Sequence, residues 1–319
     1  FNAGGAQPVP FGYFQTDTVK LRCFYNSGSI IINTIRKNTM NKKIGFIGQG
    51  WIGKNYADNF EDRSFEVVRY AQEEKYKENI EKIKECDIVF IAVPTPTTEK
   101  GFDSSILKKV IKLVGPQKIA VIKSTVLPGT TESIQKENPD IYVLHAPEFL
   151  TRHTARYNVD KPDRNIIGVP KNDSIHKKKA EEVMAILPKA PHHIICPAKN
   201  AELIKYAGNC FFYFKNIFFN MLYDLTLKSG CDWETVRKII IADPRIGDTH
   251  TEPVNKGGRG AGGDCLIKDF AAFCNLYKKI VGDEKGIKIL ESIQDKNIEL
   301  LIESGKDLDL LAGIYGNKK

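Results

Sequence analysis

No apolar run in this chain approaches the ~18 residues that a membrane-spanning helix needs. The richest stretch, Phe211-Phe212-Tyr213-Phe214-Lys215-Asn216-Ile217-Phe218-Phe219, is broken by a lysine and an asparagine. No membrane association is therefore expected. No secretory signal is expected either, since Ser29-Ile30-Ile31-Ile32 is too short an apolar run and lies too far from the start. Seven cysteines, an odd number without a short repeated spacing, make no disulfide framework. That excludes a small secreted scaffold and points to a reducing, cytoplasmic setting in which one cysteine could carry chemistry. No metal site is expected, and there is no internal repeat or low-complexity tract. Lys plus Arg number 47 against 39 for Asp plus Glu, a formal charge of +8. The lysines are dispersed among glutamates and form no stripe with aromatics, so no nucleic-acid partner is expected. The residual positive bias suits a small anionic ligand such as a nucleotide.

What remains is a soluble globular composition, 42% apolar and 27% charged over 319 residues, enough for two domains. Residues 1–39 differ from the rest: they are rich in Gly, Asn, Thr and Ser and show no sustained period. Met40 stands directly before the first strand pattern. The expectation is an unstructured N-terminal extension without function, with Met40 as the natural start.

From residue 43 to about 196, short apolar runs alternate with amphipathic stretches. Ile44 to Ile47, Phe65 to Val68, Ile88 to Val93, Ile119 to Ile122 and Ile141 to Leu144 read as buried strands. Asn165 to Val169 and His193 to Cys196 add two more. Between them lie helical patterns at Lys54 to Phe60, Lys75 to Lys84, Ser104 to Leu113, Thr131 to Gln135 and Ile175 to Leu187. This alternation predicts an α/β fold, a doubly wound Rossmann-type parallel sheet covered on both faces, over residues 40–197. After Pro197 the pattern becomes helical, at 200–229, 233–241, 266–281 and 286–304. Residues 198–319 are therefore expected to form a second, mostly helical domain.

Gly48-Gln49-Gly50-Trp51-Ile52-Gly53 follows the first strand and opens the first helix. Gly48 permits a tight turn, Gly50 lets backbone approach a pyrophosphate, and Gly53 allows close helix–strand packing. The phosphates would rest on the helix N-terminus at Trp51 and Ile52. A dinucleotide site usually has an acid ~20 positions on to hold the ribose. Here Arg69 and Tyr70 close the second strand, with Glu73 and Glu74 slightly late. Arg69 could instead meet a 2′-phosphate, which leaves NAD and NADP both open.

Lys205 and Asn209 lie four apart on a long helix and so share a face, where they could polarise a carbonyl or stabilise an alkoxide. Alone, such a pair is more often a solvated surface. Gly260-Ala261-Gly262-Gly263-Asp264-Cys265 precedes a helix, and Asp269 falls one turn later. A cysteine at a helix N-terminus is expected to have a lowered thiol pKa and to be accessible. Cys86, Cys210, Cys231 and Cys274 read as packing residues.

Taken in order, these segments resemble the UDP-glucose/GDP-mannose 6-dehydrogenase family from about Lys43 to Leu311. The glycine loop is followed by Val93-Pro94-Thr95-Pro96-Thr97, Lys123-Ser124-Thr125-Val126-Leu127-Pro128-Gly129-Thr130 and Ala146-Pro147-Glu148-Phe149-Leu150. Pro162-Asp163-Arg164, Ala201 to Asn209, Asp243-Pro244-Arg245-Ile246-Gly247 and Gly262 to Asp269 complete the series. The resemblance implies oxidation of the C6 alcohol of a nucleotide sugar to a carboxylate with two NAD in succession. It implies Cys265 as nucleophile, Lys205 and Asn209 as oxyanion holders, and Thr125, Glu148 and Asp269 as the residues that hold water and assist proton transfer. Pro94, Thr95 and Thr125 would border the cofactor, and Phe149, Leu150, Lys205 and Gly262 the substrate. Arg245 matches an arginine that reaches a neighbouring subunit's substrate site, which implies a homodimer. Two departures stand out. Thr151-Arg152-His153 replaces a small residue, an acid and a glycine, and the chain stops at Lys319, before the family's third, nucleotide-binding domain. The expectation is a short form, for which a separate chain could supply that domain. Two other readings remain: a β-hydroxyacid-type dehydrogenase making one hydride transfer, and a non-catalytic nucleotide-binding module.

Overall fold

The fold is that of a computed structural model, which describes residues 42–316. The expectations for residues 1–39 and for Met40 lie outside the described residues.

The apolar runs become the seven strands of one sheet: β1 (Lys43–Ile47), β2 (Glu66–Tyr70), β3 (Ile88–Ile91), β4 (Ile119–Ile122), β5 (Tyr142–His145), β6 (Arg164–Val169) and β7 (His192–Pro197). Their order across the sheet is β2-β1-β3-β4-β5-β6-β7. Every residue of β3 and β4 is buried, because helices cover both faces of the sheet. Alternate residues feed two separate apolar layers. Ile44, Phe46, Ile88 and Phe90 belong to one layer, and Ile47, Val89, Ile91 and Ile122 to the other.

The helices of eight residues or more are α1 (Trp51–Asp62), α2 (Thr130–Glu137), α3 (Ser174–Ile186), α4 (Ala198–Lys228), α5 (Trp233–Ile241), α6 (Asp264–Ile280), α7 (Glu284–Glu303) and α8 (Leu308–Tyr315). The pattern over Lys75 to Lys84 predicted one helix but forms two single turns, Glu74–Lys77 and Ile80–Ile83. Its residues are mostly exposed, so little tertiary packing holds a longer helix together.

The sheet also departs from the expected all-parallel form. β5 and β6 pair antiparallel, with His145 opposite Gly168, while β6 and β7 pair parallel. The link between β5 and β6 carries a single 3-10 turn, Arg152–Thr154, and a six-residue helix, Ala155–Asp160. At 1.5 Å per residue that helix is ~9 Å long, too short to carry the chain back across the sheet. Strand β6 therefore starts at the edge where β5 ended, and the intervening loop stays at the carboxyl ends of the central strands.

The 31-residue α4 ties the two halves together. Its first turn presses Ala198 and Ala201 onto Gly168, where an added Cβ would lie 2.8 Å from the Ala198 Cα. One turn on, the buried Glu202 carboxylate accepts hydrogen bonds from Gly129 N (2.6 Å), Thr131 N (2.8 Å) and Thr131 Oγ1 (2.6 Å). It thus caps α2, although burial pushes its own pKa up. Further along, Tyr213 stacks on Phe270 of α6 with ring centroids 3.9 Å apart. Among the described residues no helix is long and apolar enough to cross a membrane. Of the cysteines expected to pack, Cys86 and Cys210 are buried and Cys274 half-buried, but Cys231 is exposed in the turn after α4.

Candidate active site

The glycine loop lies at the carboxyl end of β1. Gly48 has φ +91°, and a Cβ on it would meet the Ala92 carbonyl oxygen at 2.3 Å. A Cβ on Gly53 would lie 1.9 Å from the Gly48 carbonyl oxygen. Both glycines are therefore demanded by the protein's own packing. Gly50 is different, since it has φ −63° and nothing within 4 Å of an added Cβ. The open space at Gly50 faces the start of α1, which has no side-chain cap and no acid in its first turn. Trp51, Ile52 and Gly53 there carry N–H groups without intrahelical acceptors. A pyrophosphate fits this site by charge and by space. Gly50→Val is accordingly expected to leave the melting temperature unchanged and to weaken NAD binding about tenfold or more, ~1.4 kcal/mol, as read by calorimetry. An equal loss in both would mean that Gly50 serves packing alone.

Arg69 does not stand free for a 2′-phosphate. Its guanidinium is largely buried and bound to Asp58 (2.6 Å) and to both oxygens of Glu61 (2.8 and 2.6 Å), which hold it firmly cationic. It braces α1 against β2, and with both carboxylates in place it offers no vacancy for a phosphate. Pro94 and Thr95 follow β3, and Thr125 follows β4. Thr95 Oγ1 donates to the Thr125 carbonyl at 2.7 Å. Ser124 Oγ accepts from Val93 N (3.0 Å) and donates to Val93 O (2.7 Å). This double clasp, which the sequence did not reveal, fixes the two loops side by side.

The Glu148 loop, α4 and the start of α6 converge. Lys205 Nζ lies 3.1 Å from Glu148 Oε1, both side chains being buried. Glu148 Oε2 accepts from Leu150 N at 2.8 Å, so the loop folds around its own carboxylate. Asn209 Nδ2 donates to Asp269 Oδ2 at 2.6 Å, and Lys268 donates to Asp269 Oδ1. Asp269 is fully buried. Lys205 and Asn209 are thus a built site rather than a solvated face. Cys265, in the first turn of α6, feels Asp269, Lys205, Lys268 and Glu148 electrostatically. Its thiol is raised, not lowered as the helix position suggested: burial outweighs the two lysines, and Asp269 adds to the rise. Phe149 carries Arg164 over its ring at 3.9 Å and Lys205 at 5.6 Å, so it separates two cations beside a cleft bordered by Tyr56, Pro147 and Leu150.

Gly262 sits against Asp307, where a Cβ would meet Oδ2 at 2.1 Å, and the same oxygen accepts from Gly263 N at 2.7 Å. Ala261 is tied to Asn297 of α7 through both its N–H (2.6 Å) and its carbonyl (3.1 Å). These contacts set the approach to Cys265. Arg245 is not brought to this cluster; its side chain is 88% exposed and paired with its neighbour Asp243.

Three buried groups at the base of the site escaped the sequence reading: Tyr56, Lys123 and His145. Lys123 follows β4, where periodicity gives no signal of burial, and the polar ends of Tyr56 in α1 and His145 in β5 reveal no partner along the chain. His145 is fully buried, neither ring nitrogen makes a hydrogen bond among the described residues, and burial with the nearby Lys123 pulls its pKa down to about 3. Unfolding returns it to an ordinary value of ~6.5, so the unfolded chain binds the extra proton. Between pH 6.5 and 3 the protein is therefore expected to lose stability as pH falls. His145→Phe should flatten that dependence in urea-unfolding midpoints; an unchanged slope would assign it to other groups.

Comparison with known proteins bears on the family and the fold. Residues 69–187 match the sequence profile of the UDP-glucose/GDP-mannose dehydrogenase family, NAD binding domain, and residues 199–298 match that family's central domain. The glycine loop lies ahead of the first matched span. A putative UDP-glucose 6-dehydrogenase of Bacillus subtilis, YtcA, is 29% identical over 82% of this chain and 62% of its own length. A UDP-glucose 6-dehydrogenase of Rhizobium meliloti is 30% identical over 73% of this chain and 55% of its own. The chain thus spans less than two thirds of these curated relatives. Among solved structures, a UDP-glucose dehydrogenase of Pyrobaculum islandicum superposes with a TM-score of 0.68 at 26% identity, covering 81% of this chain and 69% of that one. A 3-hydroxyisobutyrate dehydrogenase of Mycobacterium tuberculosis gives 0.65 at 16% identity, covering 88% of this chain and all of that one, which shows a shared fold. With its two domain profiles matched in order over most of its length, the chain belongs to the UDP-glucose/GDP-mannose dehydrogenase family, with that family's NAD binding domain followed by its central domain.

Proposed function

We propose that this protein oxidises the C6 alcohol of a nucleotide sugar, UDP-glucose or a close relative, to the carboxylate. The observation that carries this reading is the convergence of Cys265, the Asn209–Asp269 pair and the Lys205–Glu148 pair from three separate segments. NAD, held at the glycine loop and beside Pro94, Thr95 and Thr125, supplies a hydride acceptor for each of two oxidations. Lys205 and Asn209 stabilise negative charge on the reacting oxygen, in a buried setting where a cation and an amide count for more than in water. Cys265 adds to the aldehyde carbon, forming a C–S bond as its proton passes to the carbonyl oxygen. In the second oxidation the thiohemiacetal carbon gives up a hydride to the second NAD and its hydroxyl a proton to a neighbouring carboxylate, which leaves a thioester on Cys265. Water, held by Thr125, Glu148 and Asp269, then adds to the carbonyl carbon and breaks the C–S bond; a carboxylate takes its proton and returns it to the Cys265 sulfur, which restores the thiol. Covalent capture keeps the aldehyde from escaping between the two oxidations. Phe149, Leu150 and Gly262 border the sugar.

A homodimer is part of the proposal. On α4, Ile204, Phe211, Phe218 and Leu225 recur every seven residues and are all exposed. This stripe lies on a different face from the buried Lys205 and suits the same helix of a second copy. The exposed Arg245 would then extend toward the neighbouring site. Phe211→Asp with Phe218→Asp is expected to yield monomers in sedimentation, whereas unchanged sedimentation would exclude this face.

The deciding assay is the number of NADH formed per UDP-glucose consumed by the purified protein. Two supports the proposal. One, with an aldehyde or ketone as product, supports the single-transfer reading. None, with NAD bound tightly, supports a nucleotide-binding module.

A further inference from the structure

Lys123 has no task in the chemistry above, yet it lies at its base. It follows β4, and its N–H donates to the Ile91 carbonyl at 2.8 Å, so the backbone is fixed by the sheet. Its side chain is 3% exposed, and its ammonium stands 4.1 Å from the ring centroid of Tyr56. Among the described residues no side chain or carbonyl accepts a hydrogen bond from it. Lys205, equally buried, has Glu148 at 3.1 Å. Glu148 thus holds Lys205 directly and acts on the Lys123 charge through space, without an ion pair to it. A methionine would fill the same space as Lys123 without the cost of desolvating an amine.

We propose that Lys123 is a positioning residue: its charge beside Glu148 decides whether the Lys205 ammonium stays bound to that carboxylate or turns to meet a substrate oxyanion. With Lys123 protonated, Glu148 has a second cation to satisfy it and Lys205 is released. With Lys123 neutral, Lys205 is the remaining counter-ion and is held.

The surroundings single out Lys123 as the group that changes charge. Burial brings its pKa down to about 7, with Lys205 adding to the fall and Glu148 opposing it. Tyr56, from α1, is kept neutral by burial and by Glu148. His145, at the end of β5, is kept neutral by burial. The folded protein thus binds fewer protons than the unfolded chain between about pH 7 and the ordinary lysine value of ~10.4, and Lys123 lowers stability most below that window.

The inference rests on the proposed oxidation, but its central claim can be read without turnover. In protein labelled with 13Cε-lysine, the resonance lost in Lys123→Met, or in Lys123→Arg should the methionine variant fail to fold, is expected to titrate near pH 7. Glu148→Gln should move that midpoint down and Lys205→Met should move it up. A midpoint in the ordinary range, or one indifferent to Glu148→Gln, overturns the proposal. In single-turnover assays the first NADH should form with a rate limb that falls with rising pH around 7. Lys123→Arg, whose charge is fixed, should remove the limb and retain the rate. Lys123→Met should remove the limb at a rate ~10-fold lower, with the KM for NAD unchanged. Persistence of the limb in both variants also overturns it. Absence of turnover with Lys123 titrating near pH 7 would refute the proposed oxidation while leaving the charge assignment standing.

Discussion

Under the proposed mechanism, replacing Cys265 with alanine is expected to stop carboxylate formation while leaving the cofactor site and the fold intact. The side chain is half-buried in the first turn of α6 and makes no hydrogen bond among the described residues, so its loss should cost little stability. Its chemical loss is large. Without a thiol the aldehyde carbon has no covalent anchor, and the second oxidation would have to proceed on free or hydrated aldehyde. Steady-state carboxylate production should fall by at least about a thousandfold, the scale seen when a covalent nucleophile is removed. NADH formed per sugar should drop from two to one at most. Product analysis by mass spectrometry together with NADH absorbance reads both quantities. Full turnover in Cys265→Ala would remove the covalent mechanism and leave one hydride transfer supported by Lys205 and Asn209. The raised thiol adds a pH signature, since on the proposed mechanism the parent protein deprotonates Cys265 against burial and Asp269. Its second oxidation should speed up with rising pH, opposite in sense to the Lys123-dependent limb of the first.

Glu202→Ala is expected to be the most destabilising single change in the region where the two halves meet. The carboxylate takes three hydrogen bonds at 2.6 to 2.8 Å from Gly129 and Thr131, and it is fully buried. Alanine would leave two N–H groups and a hydroxyl without their acceptor at the start of α2. At ~1–3 kcal/mol for a buried polar group left unsatisfied, a loss of ~3–5 kcal/mol is expected. In a chain of this size that corresponds to a fall of ~5–8 °C in melting temperature. Glu202→Gln keeps one acceptor oxygen and should lose about half as much. A Glu202→Ala protein melting within ~2 °C of the parent would mean that water replaces the carboxylate there. Thr125 lies just ahead of α2 and Lys205 one turn after Glu202, so the same change should also lower turnover.

The sequence by itself determined the strands, the glycine loop and the helical second half. Each of these is a local property: the apolar runs of β3 and β4 are continuous because both faces are covered, and α4 carries few breakers over 31 residues. The glycine spacing was equally legible, since Gly48 and Gly53 answer to backbone atoms a few residues away or on the adjacent strand. The identities of the polar groups at the site were readable as motifs; their partners were not. The tertiary structure decided that Lys205 binds Glu148 and that Asn209 binds Asp269, pairs separated by 57 and 60 positions. It reversed β6 against β5, because a six-residue helix cannot recross the sheet. It withdrew Arg69 from the cofactor by giving it two carboxylates. It also raised the Cys265 thiol, since burial by distant elements outweighed the local helix N-terminus. Burial, partner choice and pKa depend on which remote segments arrive at a residue, and no periodicity along the chain encodes that.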